Sequence, residues 1–233
     1  MYNLPQRLVA EFIGTFTLIF IGAGSICADQ YLTKSGAAGV GLLGIAAAHG
    51  LAIGIMVTAV GHISGGHLNP AVTIGFWVTK RLSTLQSLAY WVAQLLGAVA
   101  AAYLLLAIVP EAVWRPVALG TPDLAADFTR SHGMALEAVL TFFLVFVFFA
   151  TAADNKGAFN KIAGFAIGLT ITMDILFGGP FTGASMNPAR SFGPALAAHH
   201  WNNHGVYWVG PLLGGIVAGW LYDRLYLRDQ PPA

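Results

Sequence analysis

Gly61-His62-Ile63-Ser64-Gly65-Gly66-His67-Leu68-Asn69-Pro70-Ala71 is the stretch that decides the fold. It lies inside a 45-residue run, 35–79, with no Lys, Arg, Asp or Glu. A membrane helix needs about 20 apolar residues, so this run is too long for one span and too short for two plus a loop. The glycine-rich polar stretch breaks it, and apolar sequence resumes at Asn69-Pro70. Asparagine is a preferred helix N-cap. Proline loses nothing at the first helical position, where its missing N–H would have had no partner. Irregular backbone at membrane depth is tolerated only where protein buries it or where it lines a water-filled cavity. These constraints predict a re-entrant loop that feeds a half-length helix over about 69–79. The stretch Phe177-Gly178-Gly179-Pro180-Phe181-Thr182-Gly183-Ala184-Ser185-Met186-Asn187-Pro188 repeats the pattern and predicts a second half-helix over about 187–198. Each would rise roughly 16 Å, half of a ~30 Å hydrocarbon core.

The rest of the chain is also poor in charge. Hydrophobic residues make up 57% of the 233 and charged residues only 9%, against about 25% charged in soluble proteins. Such a chain belongs in lipid. Its uncharged runs predict six full spans at about 6–27, 39–60, 83–109, 131–153, 161–178 and 205–227. The first reads as a retained span rather than a cleaved signal, being longer than a signal's apolar core and interrupted by Glu11. With both termini cytoplasmic, the inner segments carry seven basic residues: Arg7, Lys80, Arg81, Lys156, Lys161, Arg224 and Arg228. The outer segments carry three, Lys34, Arg115 and Arg130, so the asymmetry supports that orientation. A net charge of +1 excludes a nucleic-acid-binding surface. A single cysteine, Cys27, excludes an internal disulfide and reads as an inert packing residue.

The chain is two copies of one unit. Shifted by 126 residues, Glu11, Thr15, Phe16, Leu18 and Phe20 fall on Glu137, Thr141, Phe142, Leu144 and Phe146. Shifted by 118, Gly61, Gly65, Asn69, Pro70, Ala71 and Gly75 fall on Gly179, Gly183, Asn187, Pro188, Ala189 and Gly193. The reading is one channel-like domain over 1–233, with repeat one about 1–110 and repeat two about 130–233. Each repeat has three spans, an odd number, so the second inserts upside down. Inverted repeats place their shared site near the bilayer midplane.

These residues resemble the aquaporins, or major intrinsic proteins, over nearly the whole chain. The resemblance rests on Ala10-Glu11-Phe12-Ile13-Gly14-Thr15 and on the two Asn-Pro-Ala triplets with their flanks, 61–73 and 184–195. Gly179-Pro180-Phe181 and residues 185–194 are most similar to the tonoplast intrinsic proteins of plants. The resemblance implies an all-α membrane fold of six transmembrane helices plus two re-entrant half-helices in an inverted 3+3 repeat. It implies a passive water channel that also admits small neutral solutes such as ammonia, excludes protons and ions, and needs no cofactor, metal or catalytic residue. The pore motif would be Asn69, Pro70, Ala71, Asn187, Pro188 and Ala189, with positive helix ends meeting head to head. The selectivity filter would be His49, Ile175, Ala184 and Arg190. Many water-selective members carry an aromatic residue where His49 stands and a histidine where Ile175 stands. A wider or less polar filter is therefore expected, with His49 as a polar ring that can donate or accept and Ile175 providing room. Ser191 and Ala195 argue against glycerol transport, and Tyr207-Trp208 matches the water-channel pattern. Family members are tetramers with one pore per subunit, so a homotetramer in the bilayer is expected. The expected membrane is the bacterial or plasma membrane, with a vacuolar membrane as the alternative that the tonoplast-like filter raises.

Other residues carry two readings each. An arginine at membrane depth, Arg190, marks a pathway; otherwise it pairs only with carbonyls. Glu11 and Glu137 could relay protons, but their repeat-related placement fits a structural role, accepting from unpaired N–H groups of the re-entrant loops. His62 and His67 either line the inner vestibule or pack the loop. His199, His200 and His204 could suggest a metal site, yet fall in an outer loop without a cysteine or carboxylate beside them. Asp174 is expected to face loop groups rather than the pore. Pairs of glycines four apart, Gly50/Gly54, Gly164/Gly168, Gly210/Gly214 and Gly215/Gly219, permit close helix packing. A coupled secondary transporter is the alternative function, but no coupling-ion site is evident. An adhesive junction role finds little surface in the short loops.

Overall fold

The computed structural model describes residues 2–154, 156 and 162–227. Lys161 and Arg228, two of the inner basic residues, and the first residue of the expected fifth span lie outside the described residues. In chain order the helices are α1 (Leu4–Lys34), α2 (Gly41–Ser64), α3 (Pro70–Val78), α4 (Thr84–Ile108), α5 (Glu111–Trp114), α6 (Arg130–Phe148), α7 (Ala163–Thr182), α8 (Pro188–Ala198) and α9 (Val206–Tyr222). A 3-10 turn, Arg115–Gly120, follows α5, and π-helical turns continue α6 to Ala153 and α9 to Leu227. Five of these helices are long and apolar enough to cross a membrane. The sixth span is α9, 17 residues long and extended by its π turn.

The two half-helices start where their sequence places them. Asn69 and Asn187 cap α3 and α8 from extended backbone, and Pro70 and Pro188 take the first helical position. The spans before them run further than expected, α2 to Ser64 and α7 to Thr182. Gly61 and Gly179 stay helical, and termination falls to the glycine four residues later in each stretch. Gly65 (φ 94°) and Gly183 (φ 78°) adopt the left-handed cap and return their N–H groups to the carbonyls of Gly61 and Gly179. At the N-terminus α1 starts at Leu4 because Asn3 and Gln6 form a reciprocal capping box.

Packing interlocks the halves. Within each half, α1 lies on α2 and α4, and α6 lies on α7 and α9, while α2 and α7 join the two. Each half-helix crosses over: α3 packs on α9, and α8 packs on α4. Small residues allow this closeness. A Cβ at Gly215 of α9 would run into the carbonyl of Ala71 in α3, and one at Gly193 of α8 would run into the carbonyl of Ala98 in α4. The side chains left outward are apolar, for example Leu51, Ile55, Phe165 and Leu169, as expected of a surface facing lipid.

Candidate pore

Each re-entrant loop is tied to a buried carboxylate. Glu11 Oε1 accepts from Ser64 Oγ (2.6 Å) and His67 N (2.9 Å), and its Oε2 from Leu68 N (2.6 Å) and Gln94 Nε2 (2.8 Å). Glu137 Oε1 accepts from Thr182 Oγ1 (2.7 Å) and Ser185 N (2.9 Å), and its Oε2 from Met186 N (2.7 Å). Both carboxylates are fully buried. Backbone donors that a sheet or helix would normally satisfy are met here by charge-assisted bonds.

The loops then turn sharply. Leu68 and Met186 both take φ 52°, a left-handed backbone that residues with a Cβ rarely adopt. This aims their carbonyls across the junction. Asn69 Nδ2 donates to Met186 O at 2.9 Å, and Asn187 Nδ2 donates to Leu68 O at 3.0 Å. The side-chain oxygens are used at home: Asn69 Oδ1 caps Ala71 N, and Asn187 Oδ1 caps Ala189 N and Arg190 N. A carboxamide has two N–H hydrogens, so each asparagine keeps one beyond its cross-bond. Pro70, Ala71, Pro188 and Ala189 are buried behind them.

Both asparagines line one internal passage together with His67, His49, Ile175, Ala184 and Arg190; its other walls are largely aliphatic, including Ile53, Val72, Ile167 and Ile171. Measured to the centre of a water molecule, the cavity is only ≈ 20 Å³. One water centre needs about 10–15 Å³, so this space has room for one or two water centres.

Arg190 is 3% exposed and held at two points. Its Nη1 donates to Gly120 O at 2.7 Å and its Nη2 meets His49 Nε2 at 3.2 Å. A guanidinium only donates, so Nε2 accepts. His49 Nδ1 lies 2.9 Å from Ile45 O, a pure acceptor, so the ring proton sits on Nδ1 and the imidazole is neutral. This corrects the sequence expectation for His49: both ring nitrogens are engaged, and it offers no free partner to a solute. The ring instead fixes Arg190.

Gly120 was missed by sequence reasoning. It ends a run of three left-handed residues, Ala118 (φ 45°), Leu119 (φ 55°) and Gly120 (φ 73°). A backbone carbonyl leaves no side-chain signature. The loop that carries it is clamped from outside: Asp123 Oδ1 accepts from Asn203 Nδ2 (2.9 Å) and Leu124 N (2.8 Å), and its Oδ2 meets His200 Nε2 at 2.8 Å. Burial opposes ionisation of Asp123, but the bonds from Asn203, His200 and Leu124 outweigh it and hold the carboxyl below its ordinary range. A depressed folded value stabilises the clamp above the unfolded value of about 3.9, and the benefit disappears as pH falls through the folded value. Asp123→Asn should therefore be less stable than the parent at neutral pH, with the two converging in strong acid. Unfolding temperature against pH in detergent measures this.

Four other histidines have separate partners. His67 is buried and its Nδ1 bonds Thr73 Oγ1 at 3.1 Å, whereas His62 is exposed with its ring edge against Tyr2. His200 serves Asp123, and His204 Nε2 accepts from Trp208 Nε1 at 3.0 Å. Burial lowers the affinity of His204 for a second proton. Ser191 Oγ lies 2.5 Å from Ser185 Oγ, and Ala195 and Cys27 are packed in the interior. Asp174 is not among the residues that line the passage, and its Oδ2 is buried with no hydrogen-bond partner among the described residues.

Comparison with known proteins agrees with this architecture. The family model described as Major intrinsic protein matches residues 2–222. The chain is similar to Aquaporin TIP1-2 of Zea mays, 47% identical over 231 residues that cover 98% of this chain and 89% of the relative. It is similar to Aquaporin TIP2-1 of Arabidopsis thaliana, 45% identical, with 97% and 89% covered. Its fold is that of the aquaglyceroporin from Plasmodium falciparum, with a TM-score of 0.82 at 24% identity over 96% of this chain and 97% of the other. With a family match over nearly its full length and relatives this similar, the chain belongs to the major intrinsic protein family.

Proposed function

We propose that this protein conducts water passively through the passage between His67 and Arg190, admits a small neutral solute such as ammonia beside it, and excludes protons and ions. The observation that carries the reading is the convergence of Asn69, Asn187, His49 and Arg190 on one narrow, otherwise apolar passage. The remaining amide hydrogen of each asparagine donates to a passing water oxygen. The water's own hydrogens then point along the file, which breaks a continuous chain for proton hopping. The N-terminal ends of α3 and α8 and the guanidinium of Arg190 set a positive potential against cations. At the filter Arg190 is the hydrogen-bond donor, and Ile175 and Ala184 leave space where a second polar ring would narrow the wall.

Ile175→His should lower the ratio of ammonia to water permeability in proteoliposomes, with water flux less affected. Stopped-flow shrinkage paired with an internal pH dye gives both numbers. If the parent passes water alone, or the ratio does not fall, the protein is a water channel without the wider filter. Flux that depends on an ion gradient would favour the coupled-transporter alternative. We place the chain in a homotetramer. The likeness to TIP-type aquaporins favours a vacuole-type membrane over the plasma membrane.

A further inference from the structure

Two cavities open between α6 and α9, one above the other, apart from the water passage. The upper, ≈ 380 Å³ measured as before to the centre of a water molecule, is lined by Arg130, Met134, Trp201, Asn203, His204 and Val209. The lower, ≈ 230 Å³, has only apolar walls, among them Ala138, Phe142, Leu213 and Val217. They are parts of one groove. A Cβ at Gly210 would run into Met134 O, and one at Gly214 into Ala138 O, so the two helices run parallel and in step. Arg130, Met134, Ala138 and Phe142 stand four apart on α6, and Val209, Leu213 and Val217 stand four apart on α9, the spacing that keeps side chains on one helix face. From Arg130 to Phe142 the groove descends roughly 18 Å, close to one leaflet of a ~30 Å core. Three spans precede α6, so the upper end lies on the side of the membrane opposite the N-terminus.

The upper end is built of donors. Arg130 Nε donates to Asn203 Oδ1 at 2.9 Å, which fixes the side chain. Among the described residues its two Nη groups have no partner and it forms no ion pair. His204 Nε2 accepts from Trp208 Nε1, an indole that only donates, so the ring proton is on Nδ1. That N–H also has no partner among the described residues. No carboxylate lines either cavity. Asp123, one hydrogen bond beyond Asn203, is engaged by Asn203, Leu124 and His200. Trp201, 43% exposed, stands at the rim, as indoles do at a membrane–water boundary.

Water would satisfy the donors but not the apolar groove beneath them, and hydrocarbon would fill the groove but not satisfy the donors. A molecule with an anionic head and an acyl chain meets both needs. An ammonium headgroup finds no free acceptor here, so the chemistry favours a head of net negative charge. We propose that this groove binds an anionic phospholipid of the leaflet opposite the chain termini, its phosphate on Arg130 and His204 and one acyl chain along Met134, Ala138 and Leu213. The site goes beyond the proposed conduction, because lipid binding can be read whether or not ammonia passes.

Native mass spectrometry of the delipidated full chain in detergent tests it, with phosphatidylglycerol, phosphatidylcholine of the same acyl chains and inorganic phosphate as probes. The first phosphatidylglycerol should bind about tenfold tighter than the first phosphatidylcholine, the worth of one charge-assisted bond. Arg130→Gln should erase that preference. Leu213→Trp, which fills the exposed groove without changing charge, should weaken both lipids. Equal affinity for the two lipids in the parent, or a preference that survives Arg130→Gln, would overturn the assignment. Displacement of the lipid by inorganic phosphate would make the upper end a free-anion site instead. A Leu213→Trp chain that keeps its lipid but loses its oligomer would give the groove to a second copy.

Discussion

Glu137→Ala is expected to leave little folded protein. The substitution strands Thr182 Oγ1, Ser185 N and Met186 N, three buried donors that have the carboxylate as acceptor. An unmet buried donor costs about 1–3 kcal/mol, so the loss is about 3–9 kcal/mol. A typical domain has about 5–15 kcal/mol in total. Neither water nor lipid can substitute cheaply, because the carboxylate sits at 0% exposure. Glu11→Ala should be at least as severe, since Glu11 accepts four bonds rather than three. Glutamine at 137 should be milder: its oxygen still accepts, although its NH2 now faces one of the donors. Yield of monodisperse protein and unfolding temperature in detergent give the ranking. An alanine variant that unfolds at the parental temperature would show that the loop backbone has another acceptor.

Arg190→Val should keep water flux and weaken the exclusion of protons and cations. A fixed charge repels a permeating unit charge 4 Å away by about 4 kcal/mol at an effective dielectric constant of 20. Each 1.36 kcal/mol is tenfold in rate, so removing the guanidinium should raise leak by roughly 10- to 1000-fold, with the helix ends retaining the rest. Water carries no net charge and loses only one donor. The variant also frees His49 Nε2 and Gly120 O to accept from water in its place. Proton leak under an imposed pH gradient, set against osmotic shrinkage of the same vesicles, isolates the effect. An unchanged leak would assign the barrier to the half-helix ends alone.

The membrane spans and the paired half-helices were legible because their causes are local. Charge-free runs mark spans, and an Asn-Pro start marks a capped helix wherever it occurs. The ends of α2 and α7 were harder to read: each stretch holds several glycines, and which one turns left-handed depends on where the loop must meet Glu11 or Glu137. The shared passage of Asn69, Asn187 and Arg190 followed from repeat spacing and family resemblance, whereas Gly120, Leu68 and Met186 contribute backbone carbonyls that any residue has. Ala118 and Leu119 carry no turn signal, so the bend that delivers Gly120 to Arg190 had no local cause to read. His49 was named for the passage, but its engagement at both nitrogens depends on Ile45 and Arg190, which only the folded chain brings to it.

A ribosome reaches Met186 long after it has made Asn69. The 117 residues between this amide and its acceptor take about 6–23 s to synthesise at ~5–20 residues per second. Throughout that interval the first half is threaded into the bilayer with its junction open. Only the nascent second half can close it, and that half brings Asn187 for the Leu68 carbonyl at the same moment. Neither half therefore closes the junction alone: the Asn69 amide waits for the Met186 carbonyl, and the Leu68 carbonyl for the Asn187 amide.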